Sequence, residues 1–277
     1  MKKAIEVEGH SLSYVEANET CYATIFFLHG NSGSVATWNA QFNDPALQNY
    51  RLVAFDLPGH GDSRMAGLAA NVFNVIEMGR IVKQAIIILS SDRPFIVAGL
   101  SLGTNLIGEM QDDLFAPSGL ILLSPSIVGD SIAPADLVKE GASGIVLYTD
   151  NPSETLVQQY LQETIFMRNP GIYRQILRDY HMVHKKFRSV LASSIPATLY
   201  SDEVANLAKY PFPLLVIVGA DDQITDPDLL NRTKLNFWRG SIFSIKDAGH
   251  LVCMDKPEAT SVLIADYAQE RFKTAGA

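Results

Sequence analysis

The chain has 277 residues, 47% of them hydrophobic and 19% charged, the balance of a soluble globular protein able to bury a sizeable core in one folding unit. Its formal net charge of −8 repels phosphate backbones and anionic lipid, and no Lys/Arg-rich run offsets it, so neither nucleic acid nor membrane is expected as a partner. Apolar runs such as Ala85-Ile86-Ile87-Ile88-Leu89 are too short to span a bilayer, and Glu6, Glu8 and His10 interrupt any signal-peptide core after Met1-Lys2-Lys3, which leaves the cytoplasm as the default compartment.

In chain order, a strand-like run at 24–27 leads into Leu28-His29-Gly30-Asn31-Ser32-Gly33-Ser34, and a second at 51–55 leads into Asp56-Leu57-Pro58-Gly59-His60-Gly61-Asp62-Ser63. A third, at 94–98, runs into Gly99-Leu100-Ser101-Leu102-Gly103 and then a helix-like stretch at 104–110. From 127 to 210 strand-like runs give way to helical segments punctuated by Pro134, Pro152, Pro170 and Pro196, with helix-start chemistry at Ser153-Glu154. Strand-like runs return at 214–218, before Gly219-Ala220-Asp221-Asp222, and at 241–245, before Asp247-Ala248-Gly249-His250. Cys21 and Cys253, far apart and without metal spacing, read as small buried hydrophobes in a reducing compartment.

Strand, glycine-flanked serine, helix is the local code for a corner that lifts a serine hydroxyl off a sheet and onto a helix N-terminus. Such a serine needs a base and an orienting carboxylate, in the chain order Ser, Asp or Glu, His. Ser101, Asp222 and His250 satisfy that order, with Asp221 as a competing acid. The amides of Leu102 and Asn31 are the expected donors to a tetrahedral oxyanion. The Asn31 side chain is open to two readings, a further donor to substrate or a residue suited to a tight turn. His29 and His60, bracketed by glycines beside the core, suit structural hydrogen bonding. His181 and His184 lie three apart on a helix of the inserted segment, but no Asp or Glu accompanies them, so neither a metal nor a cofactor is expected.

Taken together, these motifs resemble the α/β-hydrolases of the capped esterase and lactonase kind, over nearly all of the chain. The resemblance implies an α/β fold with a mostly parallel eight-stranded sheet flanked by helices, a core formed by 1–126 and 211–277, and a helical cap at 127–210. It also implies that Asp222, three residues past the strand's final glycine, is the acid, and that cap residues such as Tyr160 and Phe166 touch a small-molecule ester or lactone. His29-Gly30-Asn31-Ser32, the stretch from Lys234 to Gly240 and a cap tyrosine at Tyr160 are similar to the metal-independent N-acyl-homoserine lactonases. The implied reaction is lactone opening through an acyl-serine. A general carboxylesterase, an enol-lactone or carbon–carbon bond hydrolase, and a hydrolase-like ligand receptor are the alternatives.

Overall fold

The computed structural model describes residues 2–64 and 70–275. Eight strands form one sheet: β1 (Lys3–Val7), β2 (His10–Ala17), β3 (Thr24–Leu28), β4 (Arg51–Phe55), β5 (Phe95–Leu100), β6 (Gly119–Leu123), β7 (Leu215–Gly219) and β8 (Phe243–Ile245). Their spatial order is β1-β2-β4-β3-β5-β6-β7-β8, antiparallel for the first two pairings and parallel from β4 onward. This is the expected architecture.

Strands β3 to β7 are buried along their whole length, because helices cover both faces of the parallel part of the sheet. Alternate side chains of β3 divide between two apolar layers. Phe26 and Leu28 join Met78, Ile81, Leu106 and Ile107, contributed by α2 (Val75–Ser90) and α3 (Leu102–Glu109), while Ile25 and Phe27 pack with Trp38, Cys253, Ile264 and Tyr267 on the other face. That second layer is built on α1 (Asn39–Asn43) and on two C-terminal helices described below.

Register places the motif-bearing loops at one edge. Leu28 pairs with both Phe55 and Gly99, and Gly219 pairs with Ile245, so the segments after β3, β5, β7 and β8 leave the sheet on the same side. The chain runs from β3 outward to β4 and returns across to β5, a reversal that opens a crevice at the carboxyl ends of the strands.

Between β6 and β7 the described residues form 3-10 turns at Pro134–Asp136 and Ser143–Tyr148 and the helices α4 (Glu154–Thr164), α5 (Pro170–His181), α6 (Phe187–Ser194) and α7 (Glu203–Ala208). The side chain of Ser153 caps α4 by accepting from the Leu156 N–H at 3.2 Å, and Pro170 opens α5, where its missing N–H costs nothing. Val146, Val157, Tyr160, Leu161, Ile165, Ile176 and Tyr180 make a small apolar cluster that reaches the core at Ile224. Helix α7 packs directly on α3: a methyl placed on Gly108 would meet Glu203 Cβ at 2.6 Å. Helices α8 (Val252–Asp255) and α9 (Pro257–Ala275) complete the chain. No helix among the described residues is long and apolar enough to cross a membrane.

Both cysteines are free. Cys253 is fully buried, as expected, whereas Cys21 is half-buried in the turn before β3, its Sγ 3.8 Å from the Gln48 carbonyl, because that turn lies at the opposite, solvent-facing end of the sheet.

Candidate active site

Ser101 sits between β5 and α3 with φ 50° and ψ −119°, a left-handed conformation that a non-glycine residue adopts only at a cost of about 1–3 kcal/mol unless its surroundings impose it. The surroundings do. A Cβ on Gly99 would stand 2.6 Å from the Gly103 carbonyl, and one on Gly103 would stand 2.5 Å from the Leu28 carbonyl, so both flanking positions exclude any side chain. The Ser101 N–H still donates to the Leu123 carbonyl at 3.0 Å, and its own carbonyl accepts from the Thr104 N–H and hydroxyl at 2.7 and 2.6 Å. The corner is therefore rigid, and the side chain opens onto the N-terminus of α3. Among the described residues the Ser101 hydroxyl makes no hydrogen bond.

Asp222, in the loop after β7, is 2% exposed. Its Oδ1 accepts from the N–H groups of Ile224 and Thr225 at 2.7 and 3.0 Å, and its Oδ2 from the Thr225 hydroxyl at 2.7 Å and from His250 Nδ1 at 2.8 Å. Burial by itself raises this carboxyl's pKa, but the His250 charge and the hydrogen bonds from His250 and Thr225 outweigh it, and the net shift is downward. An ionised Asp222 holds the His250 proton on Nδ1 and leaves Nε2 with a free lone pair. Asp221 does something else: its carboxylate accepts the Asp247 N–H at 3.0 Å, at the surface. The His250 loop is further fixed by Asp255 of α8, which accepts from Gly249 N–H at 2.8 Å and from Phe166 and Met167 N–H at 2.9 and 2.8 Å. The sequence reading overlooked Thr225 and Asp255. Only the proximity of Thr225 to Asp222 in sequence was a usable signal.

On the far side of Ser101 lies the loop after β3. A methyl on Gly30 would stand 3.2 Å from Ser101 Cβ, and neither the Asn31 nor the Leu102 N–H has an acceptor among the described residues. Two buried histidines shape this loop. His29 Nε2 accepts from the Leu57 N–H at 3.0 Å while its Nδ1–H donates to the Gly30 carbonyl at 2.7 Å. His60 does the same with the Ser32 N–H, at 3.0 Å, and the Pro58 carbonyl, at 3.1 Å. An imidazole that both accepts and donates must be neutral, and burial pushes both pKa values down, that of His60 well below 6.5. The Asn31 side chain is occupied: its Nδ2 donates to the Leu147 carbonyl at 3.0 Å and its Oδ1 accepts from the Ser32 hydroxyl at 2.9 Å.

A narrow cavity adjoins this loop, lined by Gly30, Asn31, Tyr160, Ile176, Leu251 and Met254 among others. Burial raises the Tyr160 hydroxyl to about 12, so it stays protonated. Phe166 is 42% exposed and is not among the residues lining this cavity; its neighbourhood faces solvent because Asp255 holds its backbone, not its ring, against the core. A second, largely apolar and somewhat wider pocket begins at Leu102 and continues past Val128, Leu137, Tyr148 and Leu191 to Glu203, whose buried carboxyl is pushed well above its usual range. His181 ends α5, and His184 lies beyond it in the following turn, where its N–H donates to the Gly59 carbonyl at 2.8 Å. The two are therefore not on one helical face. Among the described residues, no three His, Cys, Asp or Glu side chains gather as a metal site requires.

A sequence model of the alpha/beta hydrolase family matches residues 25–261. The chain belongs to the alpha/beta hydrolase family. Monoacylglycerol lipase ABHD6 of Rattus norvegicus is 24% identical over 292 residues, covering 94% of this chain and 82% of its own. Among solved alpha/beta hydrolase-like structures, a mutant of the N-acyl homoserine lactonase AidH, complexed with N-hexanoyl homoserine lactone, superposes with a TM-score of 0.87 at 20% identity over 99% of both chains. An esterase of Thermogutta terrifontis superposes with a TM-score of 0.78 at 18% identity, over 98% of this chain and 99% of its own.

Proposed function

We propose that the protein hydrolyses a carboxylic ester or lactone through an acyl-serine intermediate. Ser101 attacks the carbonyl as His250 Nε2 takes its proton. Asp222 fixes the imidazole tautomer and stabilises the imidazolium, and the Asn31 and Leu102 amides receive the oxyanion. His250 then protonates the leaving alkoxide and activates the water that releases the acid. The supporting observation is the buried 2.8 Å contact between Asp222 and His250, on the edge of the sheet where Ser101 emerges. In this reading the hydrogen bond between the Ser101 hydroxyl and His250 Nε2 forms in the substrate complex. No metal or cofactor takes part in this scheme.

Residues 127–210 act in this reading as a cap that bounds the substrate cavities. The acyl chain enters the apolar pocket beyond Leu102, and the alcohol or ring portion meets Tyr160 in the smaller cavity. N-acyl-homoserine lactones fit that division, an apolar tail and a compact polar ring. Monoacylglycerols are the second reading, supported by the likeness to ABHD6.

The test is a panel of p-nitrophenyl esters of graded chain length, acyl-homoserine lactones and monoacylglycerols, with Ser101→Ala as the blank. A fluorophosphonate probe should label Ser101 alone, and the alanine variant should lose hydrolysis by about 10³-fold or more. Retention of more than a few per cent of kcat in Ser101→Ala refutes the nucleophile.

A further inference from the structure

Arg188 of α6 is 9% exposed, and the Asp150 carboxylate, which shares a cleft with it, acts on it without a direct ion pair among the described residues. Its guanidinium stacks over the Tyr180 ring, 3.8 Å from the centroid, and donates to the Tyr180 carbonyl at 2.6 Å, while its Nε has no partner. Burial lowers its pKa. On one side Arg188 lines an open cleft with Asp150 and Glu154, and its stack on Tyr180 and bond to the Tyr180 carbonyl join α6 to α5 without reaching the core.

Its remaining contact does. Arg188 Nη2–H donates to the Ser32 hydroxyl at 3.0 Å, the Ser32 hydroxyl donates to Asn31 Oδ1 at 2.9 Å, and Asn31 Nδ2–H donates to the Leu147 carbonyl at 3.0 Å. The Ser32 N–H is held separately by His60, and Ser32 itself has a φ of 60°. The segment that carries the Asn31 N–H is thus gripped from the core by His60 and from the inserted helices by Arg188 and Leu147.

We propose that Arg188 is a positioning residue: acting through the Ser32 hydroxyl, it aims the Asn31 N–H at the oxyanion. The inference rests on the hydrolase reading of Ser101. Ser32 fills both roles of its hydroxyl, accepting from Arg188 and donating to Asn31, so removal of the guanidinium frees the hydroxyl to rotate and releases the Asn31 side chain. With Gly30 packed against Ser101, a shift of the loop by an ångström moves its amide off the position where charge develops.

The test uses the full chain, with active sites counted by fluorophosphonate titration so that misfolded protein does not register. Arg188→Met is expected to lower kcat for p-nitrophenyl butyrate by about 10²-fold per titrated site, with KM changed by less than about threefold. Affinity for a trifluoromethyl ketone, whose adduct carries the oxyanion, should fall in parallel. Ser32→Ala should reproduce most of the loss, and the double variant should be no worse than the worse single variant, because both act along one path. An unchanged kcat, or losses that simply multiply, overturns the proposal; if Arg188→Met fails to fold, Ser32→Ala decides by the same criterion. Hydrogen exchange of the peptide at 29–34 gives a readout independent of turnover. It should quicken in Arg188→Met and not in the exposed control Lys185→Met, and equal exchange in the two overturns the proposal. If the wild type neither labels nor hydrolyses, the hydrolase reading fails while the exchange experiment still decides the contact.

Discussion

Replacement of Asp222 by asparagine separates chemistry from folding at this site. The Oδ1 acceptor for the Ile224 and Thr225 N–H groups survives as the amide oxygen, and the Thr225 hydroxyl can turn to accept from the new NH₂. What does not survive is the acceptor facing His250 Nδ1 at 2.8 Å. An NH₂ there requires Nδ1 to accept, which moves the imidazole proton to Nε2, the nitrogen that takes the proton of Ser101 in the proposed mechanism. The expected loss in kcat is about 10⁴-fold, the scale of the tautomer penalty when the orienting acid of a serine triad becomes an amide. Three charge-assisted bonds become neutral and one is remade, while the cost of burying a charge disappears, so the stability change is on the order of 1–3 kcal/mol. Because the folded pKa of Asp222 lies below 3.8, the stabilising contribution of its charge is complete above that value and is lost as pH falls through the folded pKa. The wild type's advantage in denaturant should therefore persist at pH 5 and vanish only in stronger acid. Asp221→Asn keeps an oxygen for the Asp247 N–H and should be close to silent. Steady-state kinetics on titrated sites checks both variants. A kcat for Asp222→Asn within tenfold of wild type, or a larger loss in Asp221→Asn, refutes the reasoning.

Gly103→Ala forces a methyl to 2.5 Å from the Leu28 carbonyl, where backbone alone can yield, and should cost about 3 kcal/mol or more by urea denaturation; wild-type stability would show that α3 can slide. Tyr160→Phe should slow lactone opening more than simple-ester hydrolysis, because the ring oxygens need the phenol as a partner; equal effects on kcat/KM would confine Tyr160 to packing. His29 and His60 are neutral in the fold with pKa values below 6.5, so the unfolded chain binds protons that the folded chain refuses: stability is full above about 6.5 and falls below it, by at most about 1.4 kcal/mol per pH unit for each histidine and only down to that histidine's folded pKa. Urea midpoints that stay flat from pH 7 to pH 5 would contradict the neutral assignment.

Much of this was legible in sequence because it is local. A short run that is apolar after its first residue and leads into a turn containing glycine reads as a buried parallel strand and its loop, and each of β3, β4, β5 and β7 is of that kind, with Thr24 and Arg51 opening β3 and β4. Gly99 and Gly103 carry their reason in their spacing, since a strand that turns into a helix within one residue brings their backbones together. Asp222 was separable from Asp221 only through the family pattern; in the structure it is the Asp222 carboxylate that turns inward, because two backbone N–H groups and the Thr225 hydroxyl take it there. Phe166 shows the converse. An aromatic residue in an inserted segment suggests a substrate contact, yet its side-chain direction depends on where Asp255, 89 residues later, anchors the backbone.

The parts that escaped sequence reasoning are contacts between polar side chains far apart in the chain. Arg188 and Ser32 are 156 residues apart, and Asn105 and Glu203, which join α3 to α7, are 98 apart. Neither pair leaves a periodic trace, because a buried polar bond is fixed by where two elements meet and not by a pattern within either one. These bonds are also where the inserted helices act on the core. His60 bonds the Asn31 loop from the core and Arg188 of α6 bonds it from the other side, so, on the proposed mechanism, a movement of α6 changes the geometry of the Asn31 amide. Substrate packed against α6 through Leu191 therefore bears on the Asn31 amide, and an acyl chain long enough to reach that helix should raise kcat as well as lower KM. A chain-length series in which only KM responds would confine α6 to binding.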